Sequence, residues 1–219
     1  MTDLELAQLA VRTAGAVLLE QFGAPAHGVE QKSSATDMVS DADRAAEAAI
    51  VELIRRERPD DALLGEEGAS AGGSSGRRWV VDPLDGTTNY LYGFPVWAVS
   101  VAVEDGLGGL AGAVLDPSRA ELFSAARGEG AFVQTAAFEG GPGGGGTDSV
   151  NHVDAFRATS PRTPLRVRRG AELSAALVAT GFGYEAERRA QQAAALGAVL
   201  PAVRDIRRAG AAAIDLAWV

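Results

Sequence analysis

The stretch Val80–Tyr90, VVDPLDGTTNY, restricts this chain more than any other. An apolar, strand-like run ends on two aspartates three residues apart, with Pro83 and Leu84 between them. The fixed φ of Pro83 bends the chain, so Asp82 and Asp85 can converge while the Leu84 carbonyl faces the same way. Gly86, Thr87 and Thr88 then open a short helix. A fold that accepts this segment must bury the strand and leave its carboxylate-bearing end in a cleft.

The flanking sequence supplies helices before this strand and more strands after it. Thr2 and Glu5 form a capping box, and Leu4, Ala7, Val11, Ala14 and Leu18 recur at helical spacing, predicting a helix that ends near Gly23. Ser40, with Asp43 three residues on, caps a second helix whose buried stripe reads as Ala42, Ala45, Ala49 and Leu53 and which stops before Pro59. ALLGEE (62–67) and RWVVD (78–82) read as strand ends. VWAVSVAV (96–103), GLAGAVL (109–115) and AELFSAA (120–126) read as a meander with turns at EDG and DPS. Residues 139–149, EGGPGGGGTDS, have nothing to pack and predict a flexible loop or linker. Beyond them come ALVATGF (176–182), an Ala-rich helix over 185–200 assigned to core packing, and a final helix in DIRRAGAAAIDLAWV. The order predicts an α+β fold of helices layered on sheets.

Acidic residues collect where solvation alone does not explain them. Glu66 and Glu67 follow one strand, Asp82 and Asp85 another, Asp37 precedes the second helix and Asp43 lies in its first turn. Taken singly, each has a plain explanation: an Asx-type turn, a solvated turn, or a favourable charge at a helix start. Together at strand ends they suit a hard divalent cation, which takes oxygen ligands. Backbone N–H groups at the following helix start favour phosphate beside such a cation. The combination suits metal-assisted phosphate-ester hydrolysis.

With 47% hydrophobic and 22% charged residues over 219, the chain can bury a core without disulfides, and it has no cysteine. Thiol catalysis and cysteine metal sites are excluded; a reducing compartment is consistent with that composition. A net charge of −9 disfavours nucleic-acid or anionic-membrane partners. No apolar run approaches the roughly 18 residues of a membrane span, and MTDLELAQLAV lacks a basic leader. The expectation is a cytoplasmic protein.

GEE (65–67), WVVDPLDGTTNY (79–90) and FPVWAVSVAV (94–103) closely resemble the inositol monophosphatase family; KSSATDMVSDAD (32–43) is similar to its preceding segment and RRAGAAAIDLAWV (207–219) to a later one. The resemblance covers nearly the whole chain apart from the Gly-rich stretch and residues 150–170. It implies an α/β/α/β/α sandwich of the sugar-phosphatase type, with a metal-binding half over 1–139, a variable segment over 140–170 and an incomplete second half over 171–219. It further implies two or three magnesium ions, with lithium as a competing inhibitor, a small phosphate monoester as substrate, and a homodimer. Glu66, Asp82 and the Leu84 carbonyl would hold one ion; Asp82 and Asp85 would contribute to a second. Thr87, hydrogen-bonded to Asp43, would orient the attacking water, with Glu66 beside them in the catalytic set. Gly86 and Thr87 amides would bind phosphate, and Asp85 or the region of Ala212 would contact the alcohol. Lys32 and Asp37 take supporting roles. Myo-inositol monophosphate is the leading substrate and histidinol phosphate the alternative.

The sequence departs from the family pattern near its end. No W-D pair, whose aspartate completes the family's second metal position, occurs in it, and Trp218 belongs to DLAWV. The resemblance therefore implies that a C-terminal part is lacking; a helix ending on Trp218 and Val219 without a glycine cap points the same way. Ala211 stands where the family usually has Ser or Thr. A non-catalytic chain, acting only in binding or dimerisation, is the rival from another class. His27 and His152 read as surface residues, RTPLRVRR (162–169) as a solvated strand edge, and Arg204 and Arg207 stay open as substrate contacts.

Overall fold

The computed structural model describes residues 1–24, 27–31, 38–138, 156–170 and 172–219. Lys32, Asp37, His152 and the Gly-rich stretch lie outside the described residues. The chain begins with helix α1 (Asp3–Gln21), capped as expected by the reciprocal Thr2–Glu5 box, and its five predicted apolar positions are all buried. A two-residue ladder, β1 (Glu30–Gln31) with β2 (Met38–Val39), leads to α2 (Asp41–Glu57). Ser40 and Asp43 form its capping box.

The buried face of α2 is not the expected one. Ala42, Asp43, Ala46, Glu47, Ile50, Val51, Leu53 and Ile54 are buried, whereas Ala45 is exposed and Ala49 only partly covered. An apolar-only stripe passes over Asp43 and Glu47, and these two carboxylates share the core-facing side with the isoleucines.

Next come β3 (Ala62–Gly65), β4 (Ser70–Ala71) and β5 (Arg78–Asp85), then a five-residue helix α3 (Thr87–Leu91). The meander follows: β6 (Ala98–Asp105), β7 (Gly108–Asp116), β8 (Glu121–Ala126) and β9 (Gly130–Phe138). Two short strands, β10 (Phe156–Ala158) and β11 (Thr163–Leu165), both pair with β9. Among the described residues these make a nine-stranded sheet in the order β10-β9-β8-β7-β6-β5-β3-β4, with β11 also on β9. Within it the β3–β5 pair is parallel and the other pairs are antiparallel. The exposed Thr163, Pro164 and Arg166 agree with the strand-edge reading of RTPLRVRR. His27 is likewise exposed.

Alternation along β6 divides the two faces of the sheet. Val99, Val101 and Val103 pack with α1 and α2 in the main core, together with Leu6, Val11, Ile50, Trp79 and Leu115. Ala98 points to the other face, where Val96, Ala211 and Ile214 form a second, smaller cluster. The last elements are β12 (Leu177–Ala179), α4 (Ala186–Val199), β13 (Asp205–Arg207) and α5 (Ala212–Ala217), with β12 and β13 a parallel pair; of these, α5 joins that cluster. The layered α+β architecture is therefore as expected. One assignment is overturned: α4 buries no residue, so it is not a core helix. Its alanines report helix propensity, which is independent of whether anything covers the helix.

Three rings fix the approach to the site. Phe22, Tyr90 and Trp97 stand with centroids 5.1–5.4 Å apart, and such pairs contribute about 0.5–1.5 kcal/mol beyond area burial. The Tyr90 hydroxyl donates to the Leu18 carbonyl at 2.7 Å, tying α3 to the end of α1.

Candidate active site

The register of one parallel strand pair creates the acidic cluster. Gly65 pairs with Val81, and Glu66 N–H continues the ladder by donating to the Val81 carbonyl at 3.1 Å. The next residue on each chain segment is then an acid, so Glu66, just past the end of β3, and Asp82, within β5, lie side by side, and their carboxyl groups are hydrogen-bonded.

Asp82 and Asp85 would fall on opposite faces of a regular strand. On β6 their partners are Ser100 and Ala98, so three steps on β5 match two on β6. This is a bulge, which re-aims side chains by breaking alternation; Pro83, with no N–H for the ladder, sits inside it, and Pro83 and Leu84 are both buried. Leu84 then links two functional groups. Its N–H donates to Asp82 Oδ1 at 3.2 Å and its carbonyl accepts from Thr87 Oγ1 at 3.0 Å.

Gly86 makes the turn into α3 with φ of +96°, a left-handed conformation that glycine adopts without strain. A side chain there would also stand 3.0 Å from the Val96 carbonyl. The turn delivers Thr87 Oγ1 to Asp43 Oδ1 at 3.2 Å. Asp43 is fully buried, and its other oxygen accepts from the Ser40 N–H at 3.0 Å and from the Ser40 hydroxyl. Asp43 thus serves the α2 cap and Thr87 at once.

Asp85 is drawn toward α5, where its Oδ2 accepts the Ala213 N–H at 2.6 Å. Of the expected site residues, Glu66, Asp82, Leu84, Thr87 and Asp43 are linked by hydrogen bonds, Gly86 supplies the turn between them, and Asp85 lies alongside, bonded to α5, where Ala212 borders the site. Arg207 is instead paired with Asp205, and the Arg204 N–H donates to the Ala176 carbonyl. Three residues given no role from sequence also belong here. Glu47 accepts from the backbone of the Glu66 loop; its one-turn spacing from Asp43 on α2 is the signal that could have found it. Asn89 donates to the Val96 and Ala209 carbonyls at 2.7 and 2.9 Å, clamping the turn to the last segment. Asp215 faces Asp85 closely enough to raise its pKa.

The electrostatics are those of crowded acids. Burial, reinforced by Glu66 and Asp85, pushes the Asp82 carboxyl up to about 9 from an ordinary 3.8. Burial also raises Asp85, against the N–H groups of Ala213 and Ala212, which lower it. Among the described residues no three carboxylate or imidazole side chains close on one point; Glu66 and Asp82 form a pair, and Asp85 is held by Ala213. The half-buried Asp82 carboxyl, the exposed Glu66 carboxyl bonded to it and the nearby Leu84 carbonyl make an all-oxygen donor set with negative charge to offset, which fits a hard divalent cation.

A family model for the inositol monophosphatase family matches residues 2–219. The chain belongs to the inositol monophosphatase family. The inositol-1-monophosphatase SuhB of Mycobacterium tuberculosis is 39% identical over 196 residues, spanning 87% of this chain and 60% of its own length. The Nus factor SuhB of Haemophilus influenzae is 34% identical over 218 residues, 99% of this chain and 72% of its own. The crystal structure of the extragenic suppressor protein suhB from Bartonella henselae superimposes with a TM-score of 0.78 at 33% identity, covering 98% of this chain and 72% of that one. The chain therefore spans 60% of the length of the mycobacterial relatives it matches, and its mixed sheet with flanking helices is the family's architecture. No described helix is long and apolar enough to cross a membrane.

Proposed function

We propose that this chain is a magnesium-dependent phosphomonoesterase that hydrolyses myo-inositol monophosphate to inositol and phosphate. The observation that carries the proposal is the Thr87 hydroxyl, held between Asp43 Oδ1 and the Leu84 carbonyl next to the Glu66–Asp82 pair. Glu66, Asp82 and the Leu84 carbonyl would hold one magnesium, and Asp82 with Asp85 would contribute to another. When bound, magnesium neutralises phosphate oxygens and lowers the pKa of water.

The protein's own groups do the rest. With the Leu84 carbonyl engaged, Thr87 gives its single proton to Asp43, which leaves a hydroxyl lone pair to accept from the attacking water and aim it. The Gly86 and Thr87 amides, at the turn into α3, would receive the phosphate. Asp85 and Ala212 would face the alcohol. The reading carries a cytoplasmic homodimer with it, and lithium as an inhibitor competing at a magnesium position.

The test is inorganic phosphate release by the 219-residue chain with and without magnesium, on inositol 1-phosphate and on histidinol phosphate. Release dependent on magnesium and faster on the inositol ester is expected; a faster histidinol ester reassigns the substrate. The second reading, a binding chain without turnover, draws on the relatives named Nus factor SuhB. Magnesium binding with no release from either ester selects it.

Protonation of Asp82 gives a separate check. A carboxyl whose folded pKa is raised to about 9 from 3.8 stabilises the metal-free fold while protonated, below the unfolded value, and that contribution is lost as pH rises toward 9. Magnesium must displace this proton, so it binds more strongly with rising pH over the same window. The rise in melting temperature on adding saturating magnesium is expected to be larger at pH 8.5 than at pH 6. An equal rise at both would show that Asp82 is not a ligand.

A further inference from the structure

We infer that Glu47 is a positioning residue for Glu66, a role that rests on the magnesium reading above. Glu47 is 7% exposed on the core face of α2, one turn after Asp43, among Ala46, Ile50 and Val51. Burying a carboxylate in such a place is costly unless it is hydrogen-bonded, and an apolar residue would serve packing as well. Its hydrogen bonds go to one loop. Oε1 accepts the Glu67 N–H at 2.9 Å and Oε2 the Ala69 N–H at 3.3 Å. The loop closes on itself through Gly65 N–H to the Ala69 carbonyl at 2.7 Å.

Glu66 stands in that loop, fastened on one side to β5 by its N–H and on the other by the adjacent Glu67 N–H on Glu47. The glycine preceding it is explained by the same contact: a methyl group on Gly65 would overlap the Glu47 carboxylate. One face of α2 therefore holds both parts of the site, Thr87 through Asp43 and Glu66 through Glu47. Both Glu47 oxygens accept from the loop's N–H groups, so Glu47 sets where Glu66 can be.

The experiment compares wild type, Glu47→Gln and Gly65→Ala, with Asp82→Asn as control. It reads the magnesium midpoint well below the melting temperature, and hydrogen exchange of the Glu67 and Ala69 amides without metal. Gln keeps the size but sets an NH₂ against a backbone N–H. Glu47→Gln is expected to weaken the magnesium midpoint by about 10–100-fold, the usual effect of losing an outer partner of a ligand, and to speed exchange at both amides. Gly65→Ala, which expels the same carboxylate, should do likewise and serves if the Gln variant does not fold. Wild-type midpoint and exchange in both variants would overturn the role, as would unprotected Glu67 and Ala69 amides in the wild type. A wild type without a magnesium response, or Asp82→Asn retaining it in full, would instead overturn the magnesium reading.

Discussion

Asp82→Asn is expected to lower magnesium-dependent phosphate release by more than about 100-fold, since losing even an outer partner of a metal ligand costs about 10–100-fold. The same substitution is expected to raise the melting temperature of the metal-free protein at pH 8. Both effects follow from one cause. Asp82 is half-buried beside Glu66 and near Asp85, so its charge is opposed until a cation arrives. An amide removes that charge and can donate to the Glu66 carboxylate. For a domain of this size about 2–4 °C is gained per kcal/mol of relieved conflict. Activity assays and calorimetry on the same preparation check the pair of effects. If activity and metal-free stability fell together, Asp82 would be a packing residue and not a ligand whose position costs stability.

Thr87→Val is expected to slow turnover by about 100-fold or more, within the range for losing a positioned proton acceptor or donor, while leaving the magnesium midpoint near its wild-type value. Valine keeps the branched shape and removes the hydroxyl that bonds Asp43 and the Leu84 carbonyl. On the proposed function, metal ligation by Glu66, Asp82 and the carbonyl would survive, but the water would lose the oxygen that aims it. The deciding measurement is kcat beside the magnesium midpoint for the two proteins. A lost midpoint with unchanged kcat at saturating metal would move Thr87 from the reaction to the metal site. The opposite split would also separate Thr87 from Asp82, whose loss removes both.

Several features were legible because their physical causes lie within a few residues. The α1 cap is a reciprocal pair three residues apart, and its buried positions repeat at helical spacing. The turn at Gly86 and the start of α3 follow from Gly-Thr-Thr after a proline-bent strand. Pro83 foretold a bend between the two aspartates, which the structure realises as a bulge.

Other features depend on partners far along the chain. The sequence places Glu66 and Asp82 sixteen residues apart, and the parallel register of β3 on β5 makes them neighbours. The stripe read for α2 held only apolar residues and gave Glu47 no place; Asp43 and Glu47 are both buried, since Thr87 and the loop at 67–69 reach them from outside the helix. Asp85 meets Ala213 across 128 residues. The helix 185–200 was legible as a helix, because propensity is local, but its exposure was not, because burial is decided by what packs alongside. Local backbone chemistry thus set the pieces of this protein in advance, while burial and the meeting of its acids waited on strand register and helix packing, which no short stretch of sequence contains.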